Sequence, residues 1–374
     1  MKTISRILLI LAALSALGAV GLLVAGRGLG TAGPFVVAFF FCLATGASFH
    51  PRLRAHSFTI WIFAGVAAAM YYPATFQEMG GFDLNRLIVP LVQVIMFGMG
   101  TAMSPKDFAG VVKQPRGVLV GLGCQLTMMP IIAVTLVTIF GFPAEVSAGV
   151  ILIGSAPSGV ASNVMAYIAK ANLALSITLT AVATLLAPLT TPTLMKILAG
   201  QLVPIDFFAM MMGVVRMVIL PIVLGLVVHK IFERRAALIN RIMPIVSMVG
   251  IAVVIGIITA AGRDALLTIG PLLFVAAVLH NGLGYLFGYW GCRLVGLDEQ
   301  SCRTISIEVG MQNGGLASGL AQEMGKVATV GLAPAIFSSW MNVTGSALAN
   351  WFRNRPVAGE NQGPEDEPVE FAAT

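Results

Sequence analysis

Twelve long apolar runs divide this sequence, and they constrain its fold more than any other feature. A helix that crosses a bilayer needs about 20 predominantly apolar residues, and the runs have about this length. They cover residues 5–26, 34–50, 57–74, 87–103, 117–140, 146–169, 173–198, 207–229, 242–261, 268–292, 303–323 and 329–351. Because lipid offers no hydrogen bonds to a backbone, such runs favour helices. The pattern predicts an all-α polytopic membrane protein.

Charged residues are too scarce for a soluble protein of this size. Only 10% of the 374 residues are charged, whereas an ordinary soluble domain has about 25%. The net charge of +6 could suggest a nucleic-acid partner, but the basic residues lie in short loops between the apolar runs. Membrane topology explains that distribution. We therefore expect membrane lipid as a partner, and no nucleic acid.

The Lys and Arg residues in these loops predict how the chain is oriented. With the N-terminus in the cytoplasm, sixteen basic residues fall on the cytoplasmic side and five on the other, as the cytoplasmic excess of basic residues requires. The cytoplasmic set is Lys2, Arg6, Arg52, Arg54, Lys106, Lys113, Arg116, Lys170, Lys230, Arg234, Arg235, Arg241, Arg293, Arg303, Arg353 and Arg355. The outer set is Arg27, Arg86, Lys196, Arg263 and Lys326. Both termini are predicted to be cytoplasmic, with the protein in the inner (cell) membrane of a bacterium.

The two ends of the chain differ in character. The first run follows Lys2 and Arg6 and could be a signal peptide, but it is longer than the usual apolar core of one, so a retained helix is favoured. Residues 352–374 are acidic beyond Arg355 and are predicted to form a disordered cytoplasmic tail. The four cysteines show no CxxC spacing, which argues against a disulfide or metal framework.

A weak internal repeat divides the chain. Residues 87–93 align with residues 241–247 at an offset of 154 positions, and the same offset aligns Ser158 with Gln312. This predicts two five-helix units, 57–198 and 207–351, with extra N-terminal helices in residues 1–56. An odd number of spans places the two units in opposite orientations. Inverted repeats that each contain a broken helix are typical of secondary transporters, and the breaks point to the substrate site.

Each unit contains an apolar segment that glycine or proline interrupts. These segments are GSAPSGVASN at residues 154–163 and IEVGMQNGG at residues 307–315. Proline removes a backbone donor and glycine disfavours the helix, so both segments are expected to unwind. A carboxylate at mid-membrane depth costs at least ~2.5 kcal/mol. Glu308 is therefore expected to face a cation or to carry a proton.

Oxygen atoms dominate the polar side chains near the two breaks. They come from Glu308, Gln312, Asn163, Ser162, Ser176, Thr180 and Gln125. The four histidines are scattered, which argues against zinc. One carboxylate among neutral oxygens suits a weakly held monovalent cation better than Ca²⁺, which usually has several carboxylates. Sodium is the natural candidate, and a proton on Glu308 is the alternative.

The residues at both breaks resemble the bile acid:sodium symporter family. The motifs are Glu308-Val-Gly-Met-Gln312-Asn313, Pro157-Ser-Gly-Val-Ala-Ser162-Asn163, Ala174-Leu-Ser176 and Asn342-Val-Thr-Gly345-Ser. The similarity runs from about residue 57 to residue 351 and leaves out the first two helices. It implies a ten-helix inverted-repeat (5+5) transporter fold with a panel domain and a core domain, in which two broken helices cross.

The resemblance also implies two sodium ions. Carried over residue by residue, the first ion would be held by Ser162, Asn163, Ser176, Thr180 and Glu308. The second would be held by Gln125, Glu308, Gln312 and the backbone oxygens of Val309 and Met311. Every side-chain position in both sets is filled by a residue that matches the family motif.

The substrate positions depart from the family pattern, which often has Pro-Gly-Gly-Thr around Val160 and His at Met341. The resemblance places the substrate against Gly159, Val160, Ala161, Asn313, Met341 and Asn342. Asn313 could instead cap a helix. Two sodium ions and one carboxylate leave a charge of +1, which a monovalent organic anion would neutralise. A pantoate-like hydroxy acid, a 2-keto acid and a bile acid all qualify, and the small acids are favoured.

The leading hypothesis is therefore sodium-coupled symport of a small organic anion by alternating access. A proton-coupled or uncoupled organic-anion carrier is one alternative. A ligand-binding membrane receptor or channel is an alternative of another class, although a channel would spread its polar residues along a helix. An enzyme is disfavoured because the sequence has no HExxH or GxSxG motif. Arg216, inside an apolar run, could attract the anion or extend to the membrane surface, and the oligomeric state stays open.

Overall fold

The computed structural model describes residues 2–50, 53, 57–104, 110–232, 236–355 and 357. The basic residues Arg52, Arg54, Lys106, Arg234 and Arg235 lie outside this part of the chain, as does nearly all of the predicted acidic tail.

The first nine helices are α1 (Lys2–Val24), α2 (Gly28–Ser48), α3 (Ser57–Tyr71), α4 (Pro73–Gln77), α5 (Ile88–Ala102), α6 (Gly110–Lys113), α7 (Pro115–Phe140), α8 (Ala144–Gly154) and α9 (Ala161–Ile168). The next eight are α10 (Leu173–Ala199), α11 (Phe207–Val214), α12 (Leu220–Ile231), α13 (Ala236–Ala261), α14 (Arg263–Leu294), α15 (Glu299–Gly310), α16 (Gly314–Glu323) and α17 (Leu332–Arg353). Helices occupy all twelve of the apolar runs.

The helices are apolar enough for a bilayer. Within the described residues, seven stretches have the length and composition of a membrane span: Thr3–Val24, Gly30–Ser48, Leu84–Ala102, Pro115–Phe140, Leu173–Ala199, Phe207–Ile231 and Arg263–Leu294. Three further apolar helices are shorter: Thr59–Tyr71, Ala144–Gly154 and Ile245–Ala261. Large hydrophobic side chains such as Leu119 and Ile197 are exposed on these helices, where lipid would cover them. The chain is a polytopic α-helical membrane protein.

The first two helices form a hairpin at the edge of the molecule. Helix α1 packs against α2, and α2 packs in turn against α3. The Ser5 hydroxyl on α1 donates to the Gly46 oxygen on α2 over 2.8 Å, which fixes the register of the pair. Apolar side chains such as Leu14 and Leu17 face outward. The hairpin is thus joined to the remaining helices through α3.

A short β-ribbon follows α4, and the sequence did not predict it. Strand β1 (Glu78–Met79) pairs antiparallel with β2 (Phe82–Asp83). The two residues of the turn, Gly80 and Gly81, have φ values of +58° and +83°. Two-residue hairpin turns of this type need positive φ at both positions, which glycine adopts without strain. The ribbon is a small departure from the all-α expectation.

One π-helical turn, Val215–Ile219, connects α11 to α12 and contains Arg216. The Arg216 side chain is exposed. Its backbone oxygen accepts a hydrogen bond from Gln93 Nε2 over 3.2 Å. Single π turns often occur at functional positions in membrane and soluble helices. Both interpretations of Arg216 therefore stay predictions.

The remaining helices pack in two sets. In one set, α5 packs against α12 and α13, and α13 packs against α3. In the other set, α14 packs against α7 and α15, while α17 packs against α8, α9 and α14. Helix α16 contacts α5 of the first set and α17 of the second. Of the helices that flank the breaks, α16 therefore lies where the two sets meet.

Two helical segments are broken near their middles, and the breaks lie against each other. Six residues separate the end of α8 from the start of α9 at Ala161, and three separate the end of α15 from the start of α16 at Gly314. Ser158 and Gln312 form an isolated antiparallel β-bridge between the breaks. Its backbone bonds are Gly159 N–H to Met311 O at 3.0 Å and Asn313 N–H to Pro157 O at 2.7 Å. Unwound backbone groups in a membrane must be satisfied within the protein, and this bridge satisfies them.

Gly159 permits this close approach. A Cβ atom placed on Gly159 would lie 2.9 Å from the Gln312 oxygen, well inside van der Waals contact. A larger residue would push the two segments apart. The glycine in the first broken segment is therefore a packing requirement as well as a helix breaker.

Candidate functional site

Glu308 lies near the end of α15, and that helix is fixed at its other end by a buried arginine. Arg303 is only 6% exposed. It donates to Glu299 Oε1 over 2.9 Å, and its two remaining guanidinium nitrogens donate to the Phe352 and Arg355 oxygens at 3.1 and 2.8 Å. Phe352 is in the last turn of α17 and Arg355 lies just beyond it, where a cation also complements the helix dipole. Helix α15 is thereby tied to α17 and presents Glu308 to the break.

A buried amide supports the end of α15 that carries Glu308. Asn281 on α14 is 4% exposed, and its Nδ2 donates to the Gly310 oxygen over 2.8 Å. The Thr344 hydroxyl donates to Asn281 Oδ1 over 2.5 Å and so fixes the amide orientation. Sequence reasoning missed this positioning pair. An amide inside an otherwise apolar span was the available signal, because buried polar groups require partners.

Five side chains predicted to hold one cation meet around Glu308. Ser162, Ser176 and Thr180 are at most 1% exposed, and Glu308 is 2% exposed. Ser176 Oγ lies 2.5 Å from Glu308 Oε1 and 2.8 Å from Asn163 Oδ1. Thr180 Oγ1 lies 2.8 Å from Glu308 Oε2 and 3.1 Å from the same amide oxygen. The cluster is a compact set of oxygens contributed by α9, α10 and α15.

In this oxygen cluster, the hydroxyl hydrogens that could be donated are fewer than the short oxygen–oxygen contacts. Four oxygen–oxygen contacts of 3.1 Å or less involve the hydroxyls of Ser176 and Thr180, yet each hydroxyl has one hydrogen. The Ser162 hydroxyl donates elsewhere, to the Gly159 oxygen over 2.6 Å. With the Asn163 amide oxygen facing both hydroxyls, two contacts therefore bring oxygen lone pairs together without a hydrogen. A cation among these oxygens would remove that repulsion.

The residues predicted for a second cation are hydrogen-bonded to one another at the breaks. Gln125 is 4% exposed, and its Nε2 donates to Gln312 Oε1 at 2.6 Å and to the Ala156 oxygen at 2.9 Å. Gln312 Nε2 donates to the Val309 oxygen over 2.6 Å. Amide hydrogens thus occupy oxygens that the resemblance assigned to a cation. The Met311 oxygen accepts from the bridge described above.

Asn313 and Asn342, two of the predicted substrate residues, have local hydrogen bonds. Asn313 Oδ1 accepts from the Leu316 backbone N–H over 3.0 Å, so this residue caps α16. Its Nδ2 makes a weak contact, 3.9 Å from Met96 Sδ. Asn342 Nδ2 donates to the Ser338 oxygen one turn earlier over 2.7 Å. Of these two asparagines, Asn313 is the one whose amide nitrogen a substrate could bind.

The other predicted substrate residues lie beside the breaks. Gly159 is buried, whereas Val160 and Ala161 are half-buried at the start of α9. Within the described residues no side chain caps the N-terminus of α9, but the Ser162 and Asn163 backbone N–H groups donate to the Gly159 and Val160 oxygens. Met341 on α17 is 6% exposed. Its backbone oxygen accepts a long hydrogen bond of 3.4 Å from the Tyr285 hydroxyl.

A cavity lies away from these predicted substrate residues. It has a volume of about 510 Å³ and lies beside the β-ribbon. Its lining residues are Ala74, Gln77, Glu78, Asp83, Asn85, Ala261 and Ala328. The exposed carboxylates of Glu78 and Asp83 would repel an anion. This cavity is therefore a poor anion site.

Comparison with known proteins identifies the family. Residues 89–269 match the sequence model described as "Sodium Bile acid symporter family". A Bacillus subtilis (strain 168) protein named "sodium-dependent transporter YocS" is 36% identical over 300 residues, which cover 80% of this chain and 91% of the relative. "Probable sodium/metabolite cotransporter BASS1, chloroplastic" of Arabidopsis thaliana is 34% identical over 302 residues, covering 80% and 74% of the two chains. "Probable sodium/metabolite cotransporter BASS2, chloroplastic" of Oryza sativa subsp. japonica is 31% identical over 307 residues, covering 82% and 72%. Identity at this level over most of both chains shows that the protein is a membrane transporter, not an enzyme, and that it belongs to the sodium bile acid symporter family.

Proposed function

We propose that this protein is a secondary symporter that uses sodium ions to import a small organic anion by alternating access. The observation that carries the proposal is the hydrogen-poor oxygen cluster around Glu308. Hydroxyl and amide oxygens with one carboxylate form a hard donor set of low charge, which suits a monovalent cation. The relatives named as sodium-dependent transporters or sodium cotransporters support sodium as that cation.

We propose two sodium ions that share Glu308. The first is held by Ser162, Asn163, Ser176, Thr180 and Glu308. The short contacts among these oxygens support this assignment. The second is held by Gln125, Glu308, Gln312 and the Val309 and Met311 oxygens. Burial of Gln125 and Gln312 and the hydrogen bond between them support it, and the ion would replace the amide hydrogens that now contact Val309.

The helix boundaries support an inverted repeat of five helices plus five. Phe140 and Leu294, which end α7 and α14, are 154 positions apart. Ala199 and Arg353, which end α10 and α17, have the same offset. We assign residues 57–198 and 207–351 to the two units, and residues 1–56 to an N-terminal addition.

The bridge between the breaks has the symmetry that such a repeat requires. Its two central residues, Ser158 and Gln312, occupy equivalent positions at the offset of 154. The two backbone bonds of the bridge, one donated from each segment, also exchange with each other under this offset. A contact made by the same positions of two copies implies a two-fold axis. We place that axis at the crossing of the broken helices.

The charge of the site favours a monovalent organic anion as substrate. Two cations and the Glu308 carboxylate leave one positive charge. The anion would bind where Asn313 Nδ2 offers an N–H donor, beside Gly159, Val160, Ala161, Met341 and Asn342. A pantoate-like hydroxy acid or a 2-keto acid fits this description, and a bile acid is the larger alternative. We place both termini in the cytoplasm and the protein in the bacterial inner membrane.

A proton on Glu308 instead of sodium defines the second candidate function. A protonated carboxyl would supply one of the missing hydrogens in the cluster, so the chain would be a proton-coupled anion carrier. One hydrogen would still be lacking, and for this reason we favour sodium.

Uptake in proteoliposomes tests the proposal. Labelled pantoate, pyruvate and taurocholate are offered under an inward sodium gradient, or with choline in place of sodium under an inward proton gradient. We expect sodium-dependent accumulation of at least one acid. Accumulation driven equally well by the proton gradient in choline would overturn sodium coupling and support the second candidate.

A further inference from the structure

The Gly310 oxygen at the end of α15 is bound by a side chain instead of by its own helix. In a continuous helix this oxygen would accept from the N–H group of Gly314, four residues later. That N–H group donates to the Gln312 oxygen over 3.1 Å, because the helix ends at Gly310 and Met311 is extended. Asn281 Nδ2 on α14 donates to the Gly310 oxygen over 2.8 Å. The partner of this carbonyl therefore comes from another helix.

The oxygens on either side of Gly310 are the two backbone ligands proposed above for the second sodium ion. The Val309 oxygen accepts from Gln312 Nε2 over 2.6 Å, and the Met311 oxygen accepts from the bridge between the breaks. Each peptide unit is planar and shares a Cα atom with the next, so a fixed direction for one carbonyl restricts the directions of its two neighbours. By holding the middle carbonyl, Asn281 restricts both proposed ligand oxygens.

The first break has an equivalent contact. Ala156 lies 154 positions before Gly310, and its oxygen also accepts from a buried amide, Gln125 Nε2, over 2.9 Å. Gln125 lies on α7 and Asn281 lies on α14, the helices that precede the two breaks. An amide from the corresponding helix thus holds the corresponding carbonyl in each unit. Because Gln125 is a proposed sodium ligand, the repeated contact supports a role for Asn281 at the cation site.

A chain of hydrogen bonds orients the Asn281 amide. The Thr344 hydroxyl on α17 donates to Asn281 Oδ1 over 2.5 Å. The Tyr285 hydroxyl lies 3.2 Å from Thr344 Oγ1, and its hydrogen serves this contact because Thr344 has already used its own. An amide whose oxygen accepts on one side presents its nitrogen on the other. The chain therefore directs Asn281 Nδ2 towards Gly310.

We propose that Asn281, oriented by Thr344, is a positioning residue that sets the directions of the Val309 and Met311 oxygens for the second sodium ion. This inference rests on the proposed two-ion coupling and assigns a role to residues outside the ligand sets. Without the Thr344 hydroxyl the amide would be free to rotate, and the two carbonyls would lose their fixed directions. Binding at the second site would weaken. The first site would keep its affinity, because its ligands are side-chain oxygens.

Binding of radiolabelled sodium to the purified, substrate-free protein in detergent tests the proposal. Thr344→Val removes the hydroxyl but keeps the shape of the side chain, and we expect it to weaken the binding of one sodium ion about tenfold and leave the other unchanged. Thr344→Ser keeps the hydroxyl and is expected to retain the original affinity. A packing defect would give the opposite order, because serine lacks the methyl group. Asn281→Leu, which removes the amide itself, should weaken the same ion at least as much.

Thr190→Val is the matched control. Thr190 is the counterpart of Thr344 at the offset of 154, but its hydroxyl donates to the Leu186 oxygen of its own helix over 3.2 Å. We expect its sodium binding to equal that of the unmodified protein. Unchanged affinity for both ions in Thr344→Val would overturn the proposal, as would equal weakening of both ions, which a general distortion would produce. If the unmodified protein bound fewer than two sodium ions, the two-ion model would fail as well, so the two failures are distinguishable.

Discussion

Glu308 is the residue on which both proposed cation sites depend. Glu308→Gln keeps the size of the side chain but removes the formal charge. We expect sodium-stimulated uptake to fall more than about 100-fold, because loss of one partner from a buried charge pair typically costs about 3–5 kcal/mol. Expression is expected to be unaffected, since the amide can still accept from Ser176 and Thr180. Sodium-dependent uptake in proteoliposomes measures the effect.

Glu145→Gln is the control for this charge. Glu145 forms an ion pair with Lys326 and accepts from the Thr329 hydroxyl over 2.6 Å, away from the candidate site. Its variant is expected to keep the sodium dependence of the unmodified protein. A Glu308→Gln protein that transported at nearly the original rate, with the same sodium dependence, would disprove the two-site arrangement.

At the same residue scale, the sequence indicates ligand types better than ligand orientation. Glu308 could be singled out because a carboxylate in an apolar run has few explanations. The orientation of the Gln125 and Gln312 amides could not, because it depends on which buried oxygens lie within reach after packing. The hydrogen bonds of Asn313 and Asn342 are local by contrast, and the cap that Asn313 forms was an alternative that the sequence offered. The hydrogen bonds between Gln125 and Gln312 follow from tertiary contacts.

At the scale of elements, both helix breaks were predictable, because proline and glycine act on their own backbone. Pairing of the breaks through Ser158 and Gln312 was not, since it joins positions far apart in the chain. The β-ribbon at Glu78–Asp83 was also missed. Its strands have only two residues each, too few for a period-2 pattern to appear, and only the Gly80-Gly81 pair marked the turn.

Close packing of α5 on α12 gives a prediction about elements. A Cβ on Gly100 would overlap the backbone of Ile222, whereas a Cβ on Gly123 of α7 would meet nothing within 4 Å. Gly100→Ala should therefore destabilise the protein by about 1–3 kcal/mol through overpacking. Gly123→Ala, the matched control, should be neutral or stabilising by up to about 1 kcal/mol, because alanine favours helix. Thermal unfolding in detergent compares the two variants. Equal melting temperatures would show that α5 and α12 can move apart and accept the added methyl group without loss of stability.

At the scale of the whole molecule, the proposed stoichiometry makes transport electrogenic. Two sodium ions and a monoanion move one net positive charge inward. A tenfold sodium gradient contributes ~1.4 kcal/mol per ion, and 100 mV acting on one charge contributes ~2.3 kcal/mol. The total of about 5 kcal/mol allows several-thousand-fold accumulation of the acid. One sodium ion per monoanion would be electroneutral and limited to about tenfold.

Uptake by proteoliposomes with an imposed potential, negative inside, at fixed sodium concentration measures this property. We expect the potential to stimulate the initial rate and the final accumulation, because the charge that crosses the membrane is set by the cations bound around Glu308. Liposomes without protein, under the same potential, control for leakage of the labelled acid. Uptake that ignored the potential would rule out two sodium ions per monoanion. Such a result would require either a single coupled sodium ion or a doubly charged substrate. A divalent acid in the substrate panel would separate these alternatives, because transport of the divalent acid is expected only if the substrate is doubly charged.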